Sequence, residues 1–371
     1  MLIGHNALPI PVPLPSYLPP PERCESLAAL AARFGGTVEA RAPARTITYA
    51  LPTRASAEVR AFWEQETKAE LPAEITARIP GGRVFGAGAV LAPDGTSLAR
   101  DVSMDFGKPA DAHWLLTYPK IRPPEPLSGT TAVIASALAS GYAHWLLDEL
   151  PRLLSLAPDV AETLIAHTAA PFAREALALH GWVGATREPG RITHLQCEQL
   201  LVPSLSGTVV QPSPHALELI AEFTAPLHQK TSAFGERLYL SRSRAQRRRV
   251  TNEAELRAAL ERQGFTTVHL EDLPWAEQIN AFRHAKVIVA PHGAGLANLA
   301  FCAPGTRVVE LFHRAYVHGC FWRLAALRGL DYQPVVPPGP EPLGQSPAAN
   351  RLDFEVDLEA GRDGLPLKFE I

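Results

Sequence analysis

The segment Ala290-Pro291-His292-Gly293-Ala294-Gly295-Leu296-Ala297-Asn298 constrains this chain more than any other. A short apolar run at 286–290 enters it, and helix-compatible residues up to 301 leave it. Glycine lets a backbone approach a ligand closely. A helix start offers unpaired N–H groups and about half a positive charge. Together they suit an anion, most naturally a diphosphate. A plain strand-to-helix turn would carry the same Gly-x-Gly. The dinucleotide fingerprint needs a third glycine where Asn298 stands, which counts against a dehydrogenase.

The surrounding sequence alternates in the same way. Strands are predicted at 237–241, 266–270, 286–290 and 307–312. Between and after them fall helices at 252–263, 274–284, 294–301 and 318–328. Asn252 is read as a helix cap with Glu255 at the capping-box position. Such alternation implies a parallel sheet with right-handed crossovers. The earlier part is less regular. A strand is predicted at 45–51, and a hairpin at 83–91 and 98–104 around Pro93-Asp94-Gly95-Thr96. Further strands are predicted at 131–135, 163–166, 191–195 and 199–203, with helices at 141–150, 172–180 and 214–228. Pro151 ends or kinks the first of these helices. Residues 337–349 read as a Pro/Gly-rich linker, and alternating Leu352, Phe354, Val356 and Leu358 predict a final strand.

A chain of 371 residues with 46% hydrophobic composition can bury two cores. We therefore divide it into a Pro-rich lead-in and β-rich segment (1–125) of the first domain, that domain's α/β body (126–230), a second α/β domain (231–336), and a linker with terminal strand (337–371). A formal net charge of −3 gives no global reason to expect nucleic acid or an anionic membrane as partner. Four scattered cysteines, with no zinc spacing, fit a reducing compartment. The first 23 residues lack Lys or Arg before Arg23 and contain seven prolines from Pro9 to Pro21, unlike a signal peptide. Residues 126–147 carry no Asp, Glu, Lys or Arg, but serines, threonines, glycines and His144 weaken the case for a membrane span.

Two further motifs carry chemistry. Ser241-Arg242-Ser243-Arg244-Ala245-Gln246-Arg247-Arg248-Arg249 follows a predicted strand, and strand carboxyl ends border the ligand crevice of parallel sheets. Guanidinium forks match phosphate oxygens, although a solvated basic loop reads the same way. Gly141-Tyr142-Ala143-His144-Trp145-Leu146-Leu147-Asp148-Glu149-Leu150-Pro151-Arg152 sets His144 and Asp148 four apart on one helical face, a pairing suited to proton transfer or to a local surface contact. Glu310 ends a predicted strand, where a carboxylate can accept from ribose hydroxyls. No Asp-x-Asp metal motif is present. Leaving-group charge then falls to the helix start and the arginines.

These motifs, in this order, resemble glycosyltransferase family 61, which includes bacterial capsular-polysaccharide-type enzymes and eukaryotic xylosyl- and N-acetylglucosaminyltransferases. The likeness covers roughly residues 130–335, and its longest segment is 264–312. It implies a GT-B architecture, two Rossmann-like domains with a cleft between them, and inverting transfer without a metal. It implies a nucleoside-diphosphate sugar as donor, a glycan or glycolipid acceptor and no cofactor. By position, Arg242, Arg248, Asn252, His292, Gly293, Ala294, Gly295, Asn298 and Glu310 fall on its donor-side motifs. His144, Asp148 and Arg152 fall on its first-domain cleft motif. Asp148 is the first candidate base and His144 the second. Glu277 also matches, through contact or helix positioning. A cytoplasmic location, with peripheral attachment to the membrane, would follow from a role in surface polysaccharide synthesis. A non-catalytic nucleotide- or glycan-binding module is the alternative.

Overall fold

The computed structural model describes residues 17–105 and 110–358, so most of the Pro-rich lead-in and residues 359–371 of the terminal segment lie outside the described residues. The fold is α/β, with one large sheet in each half of the chain.

The first sheet is mixed and has ten strands. Its centre is His194–Pro203, expected as two strands and observed as one with a register shift between Cys197 and Gln199. Beside it run Glu125–Val133, Thr163–Ile165 and Ala185–Arg187, all parallel. The first of these is longer than the apolar run at 131–135 suggested, because its exposed amino end carries little hydrophobic signal. On the other side, Arg83–Phe85 and Glu74–Pro80 pair antiparallel with His194–Pro203. The expected turn at 93–96 connects Ala89–Leu91 to Ser97–Ala99, and Arg23–Glu25 closes that edge. Among the four parallel strands, the second and third in chain order lie on one side of the first and the fourth on the other. The direction of winding therefore changes between Val133 and Pro203.

The second sheet is parallel throughout. Its spatial order is Thr266–Val268, Arg237–Leu240, Val287–Pro291, Arg307–Leu311, Asp331–Val335. In chain order this is 2-1-3-4-5, so winding reverses between Arg237–Leu240 and Val287–Pro291. In open α/β sheets the carboxyl ends at such a reversal diverge and leave a crevice for a ligand. Both glycine-turn and arginine-loop motifs begin at those two carboxyl ends. The expected terminal strand is replaced by a strap. Phe354 makes a single bridge to Val250, and Asp353 and Val356 bond to the loop running from Arg249 to Asn252.

One apolar cluster runs through both halves. Trp63, from helix Ala57–Trp63, stacks on Trp322 of helix Cys320–Arg328 with centroids 5.0 Å apart, and Trp322 donates its indole N–H to the Ala50 carbonyl at 2.9 Å. The amino-terminal segment thus packs against the second sheet as well as building the first. Among the described residues no helix is long and apolar enough to cross a membrane.

Candidate active site

The reversal point of the first sheet is filled by protein. Arg152, expected to face a cleft, is fully buried and donates across the carboxyl ends of both strands: to Pro203 O at 2.9 Å, Ile134 O at 2.6 Å and Val133 O at 3.0 Å. Burial pulls its pKa down to about 10, against the attraction of Glu149 and Asp148. A buried guanidinium needs such acceptors, because an unpaired buried charge is costly. Arg152 is therefore a plug. Arg152→Met is expected to remove about 3–5 kcal/mol of stability, since it strands several carbonyls and two acids. A urea-unfolding midpoint equal to that of the unaltered protein would contradict this role.

Residues Tyr142–His144, a π-helical stretch Trp145–Glu149 and Leu150–Leu154 form one continuous helix leading to that plug. π-Helical turns are often found at functional sites. Here the turn buries two consecutive acids, each with its own histidine. His144 Nδ1 lies 2.9 Å from Asp148 Oδ2, and Val210 N–H donates to Asp148 Oδ1 at 2.8 Å. Glu149 Oε1 accepts from Ser136 N–H at 2.7 Å and meets His167 Nδ1 at 2.8 Å. Burial raises the pKa of both acids, and their histidines act in the opposite direction. Asp148 is 2% exposed with both oxygens engaged, whereas the His144 side chain keeps 22% of its surface. Of the two expected bases, His144 is therefore the more accessible, and Asp148 lies behind it with its oxygens on His144 Nδ1 and Val210 N–H. The Glu149–His167 pair escaped the sequence reading, although two adjacent acids in an apolar helix were the available signal.

The reversal point of the second sheet is built differently. Arg244 and Arg249 turn outward onto Asp272 and Asp353, at 2.6 Å and 2.7 Å. Arg242 and Arg248 turn inward. Arg242 lies against the Gly293 α-carbon and donates to Arg247 O at 3.0 Å, and its Nε is buried without a partner. Arg248 donates to His292 O at 3.1 Å and to Asn350 O at 3.3 Å, with its guanidinium 5.3 Å from the Tyr316 ring centre. Neither has a carboxylate partner among the described residues. Burial, then repulsion from Arg248 and Arg247, brings the Arg242 pKa down to about 10; burial lowers that of Arg248 too. Val210 and Arg248 are the two non-glycine residues with positive φ among the described residues, at 55° and 56°. Each such backbone costs of order 1–3 kcal/mol and persists where its surroundings fix it. One holds Asp148, and the other is half of the arginine pair.

The glycines serve a different purpose from the one expected. A Cβ at Gly293 would collide with the Arg242 guanidinium, and one at Gly295 would come within 2.6 Å of Leu270 Cδ1. Close approach is required, but by protein side chains. A ligand at this turn would meet Arg242 carried on Gly293, beside Ala294, which opens a 3₁₀ rather than an α-helix, Ala294–Phe301, without a side-chain cap. Gly293→Ala is expected to keep the fold, because the obstructed atoms end a flexible side chain, and to displace Arg242. Loss of one charge-assisted hydrogen bond corresponds to ~10–100-fold in diphosphate affinity. Calorimetric titration checks it, and unchanged affinity would refute it.

Three other expected donor residues are committed to protein. Asn298 is fully buried: its Oδ1 accepts from the Tyr142 hydroxyl, and its amide donates to Gln278 Oε1 at 3.2 Å. Trp275 donates to the same Tyr142 oxygen at 3.1 Å. This network ties the His144 helix to the glycine-turn helix. Asn252 stands at the helix start but does not cap it; its amide clasps both backbone groups of Val356. Glu310 is fully buried, with one oxygen on His292 Nδ1 and the other on the Tyr332 hydroxyl, so it cannot reach a ribose. Glu277 is exposed in the first turn of helix Trp275–His284, while its neighbour Gln278 pins Leu270 O and Leu273 O. Tyr316 and His318, ring centres 4.3 Å apart, were not anticipated and stand beside Arg248 and His292.

A family described as Glycosyltransferase 61 matches residues 142–309. That span includes the His144 helix, the arginine loop and the glycine turn. The chain is similar to Protein O-linked-mannose beta-1,4-N-acetylglucosaminyltransferase 2 of Homo sapiens, 38% identical over 105 residues, which cover 27% of this chain and 18% of that protein. It is similar to EGF domain-specific O-linked N-acetylglucosamine transferase of Drosophila melanogaster, 37% identical over 98 residues, covering 26% and 18%. Beta-1,2-xylosyltransferase RCN11 of Oryza sativa subsp. japonica is 33% identical over 63 residues, covering 17% and 12%. The matches span less than a fifth of the length of these curated relatives.

Proposed function

We propose that this chain, which belongs to the Glycosyltransferase 61 family through residues 142–309, moves a sugar from a nucleoside-diphosphate sugar to a hydroxyl of a glycan or glycolipid. The observation that carries this reading is the Arg242–Arg248 pair. Two partly buried guanidinium groups repel one another at the carboxyl ends of a parallel sheet, with no direct carboxylate partner among the described residues. A pyrophosphate relieves that repulsion and matches the two forks.

In the reaction we propose, His144 takes the acceptor proton and Asp148 holds the imidazole. The acceptor oxygen attacks the anomeric carbon from the face opposite the diphosphate, inverting it. The bond to the diphosphate oxygen breaks, and its charge develops against Arg242 and Arg248. Preorganised cations aimed at developing charge supply much of the rate enhancement in such steps. No metal or further cofactor enters this scheme. The two halves would act as the acceptor-side and donor-side domains of a GT-B arrangement, with the cleft lined by the helix of His144 and the loop of Arg248. Two of the relatives' names refer to protein-linked sugars; a surface polysaccharide or its lipid carrier, made at the cytoplasmic face of a membrane, is the acceptor favoured here.

Incubation with a panel of nucleoside-diphosphate sugars tests the reading. Release of nucleoside diphosphate from at least one donor, faster with a glycan acceptor present, is expected. Tight nucleotide binding with no turnover of any donor would instead indicate a binding module, and tight nicotinamide-dinucleotide binding alone would indicate an oxidoreductase.

A further inference from the structure

Strands Val287–Pro291, Arg307–Leu311 and Asp331–Val335 lie side by side; the last two supply Glu310 and Tyr332 to a polar row across the sheet, and His292, the residue after the first, completes it. The Tyr332 hydroxyl donates to Glu310 Oε2, and Glu310 Oε1 meets His292 Nδ1. Exposure along the row is 4%, 0% and 7%. The row starts in the interior and ends at the arginine pair, since the His292 carbonyl accepts from Arg248. Phe312 stacks on the His292 ring with centroids 5.2 Å apart, and Phe321 covers it at 5.5 Å. No cation neutralises Glu310 within the row. A buried carboxyl in such a place favours its neutral form. A protonated Glu310 satisfies every contact: its O–H donates to His292 Nδ1, its other oxygen accepts from Tyr332, and His292 keeps a hydrogen on Nε2.

We propose that Tyr332 and Glu310 are positioning residues that hold one proton in reserve for His292, and that a diphosphate bound at Arg242 and Arg248 draws this proton onto the imidazole. The Glu310 O–H bond breaks, its electron pair stays on the carboxylate, and an N–H bond forms at Nδ1. The resulting imidazolium adds a third positive charge to the pocket, while Tyr332 keeps donating to the carboxylate. This inference rests on the diphosphate reading above. It explains why an acid and a histidine are buried together beneath two arginines: those cations disfavour a charged imidazole until an anion offsets them.

The shifts agree with this arrangement. Burial pushes Glu310 up to about 8. Burial first, then Arg248 and Arg242, holds His292 well below the usual imidazole range. The other groups that face the pair do not titrate in that region. His318 is brought down to about 4 by burial and by His292, while burial pushes Tyr316, Cys320 and Tyr332 upward. Arg323, beyond His318, adds only positive charge. The bound state needs one proton on the pair, and the free protein keeps it below pH 8. Affinity should therefore be level below about pH 8 and fall above it, approaching tenfold per pH unit.

The test measures the dissociation constant of whichever of UDP, GDP, CDP and ADP binds most tightly, from pH 6.5 to 9.5. The full chain is compared with Glu310→Gln and Tyr332→Phe. Glutamine is isosteric, donates to Nδ1 and accepts from Tyr332, but carries no transferable proton. The bend near pH 8 is expected in the unaltered protein and absent in Glu310→Gln, with weaker binding at pH 7. Tyr332→Phe removes a donor that favours the carboxylate, so its bend should move to higher pH. Identical profiles for the unaltered protein and Glu310→Gln would overturn the proton reserve alone. Failure of every nucleoside diphosphate to bind the unaltered protein would overturn the diphosphate reading itself.

Discussion

Asp148→Asn is expected to lower turnover by ~10²–10⁴-fold, the usual contribution of a positioned general base, while the fold survives. Asparagine can still accept from Val210 N–H through its oxygen, so the contact that holds the Gly207–Pro212 turn persists. Its amide, however, would donate to His144 Nδ1 where the carboxylate now accepts. The imidazole then carries its hydrogen on Nε2 and cannot take a proton there. Donor affinity should be almost unaltered, because Asp148 lies in the first half and the arginine pair in the second. The measurement is steady-state transfer with the best donor, together with a nucleotide titration. Unchanged turnover would remove the His144–Asp148 pair from the chemistry and turn attention to His167 and Glu149.

Arg248→Ala is expected to cost ~10²–10³ in turnover, the range found when one charge-stabilising contact is removed from a transition state. Its backbone at φ 56° is occupied by a side chain that reaches His292 O and Asn350 O, so alanine would also release the strap near Asn350. Arg248→Lys separates these effects. Lysine keeps the charge but lacks the planar fork, so it should retain the strap better than it retains rate. Thermal unfolding reports the first and donor turnover the second. Full activity in Arg248→Ala with every donor would show that the leaving group is stabilised elsewhere.

How far the sequence could be read depended on what each signal measures. Strands covered on both faces are short apolar runs, and Val287–Pro291 is buried at every position, so four strands of the second sheet were legible; the fifth, Asp331–Val335, was not predicted. In the first 125 residues only the strand at Arg45–Thr48 and the turn at 93–96 with its flanking strands were legible. Thr37–Ala42 is exposed at five of its six positions and has no alternation to detect. Glu74–Pro80 becomes a strand through its neighbours on either side. Local chemistry was readable where a run of arginines marks a strand end, as at Arg242 and Arg248, which turn inward onto backbone carbonyls. It misled where partners come from distant segments. Asn298 and Tyr142 are 156 residues apart in sequence, and Asn252 meets a strap 104 residues away. Glu310 looked like a strand-end acid, because nothing local reveals that Tyr332 and His292 flank it. Arg152 carried a usable clue, a lone cation among leucines, which calls for buried acceptors.

The central claim is that Arg242 and Arg248 hold a pyrophosphate on the Gly293 turn. Calorimetric titration of the full chain and of an Arg242→Ala/Arg248→Ala double variant with matched nucleoside mono- and diphosphates tests it most directly. The account predicts saturable binding of at least one diphosphate, tighter than its monophosphate, and loss of that preference in the double variant. Equal diphosphate binding by both proteins would contradict it.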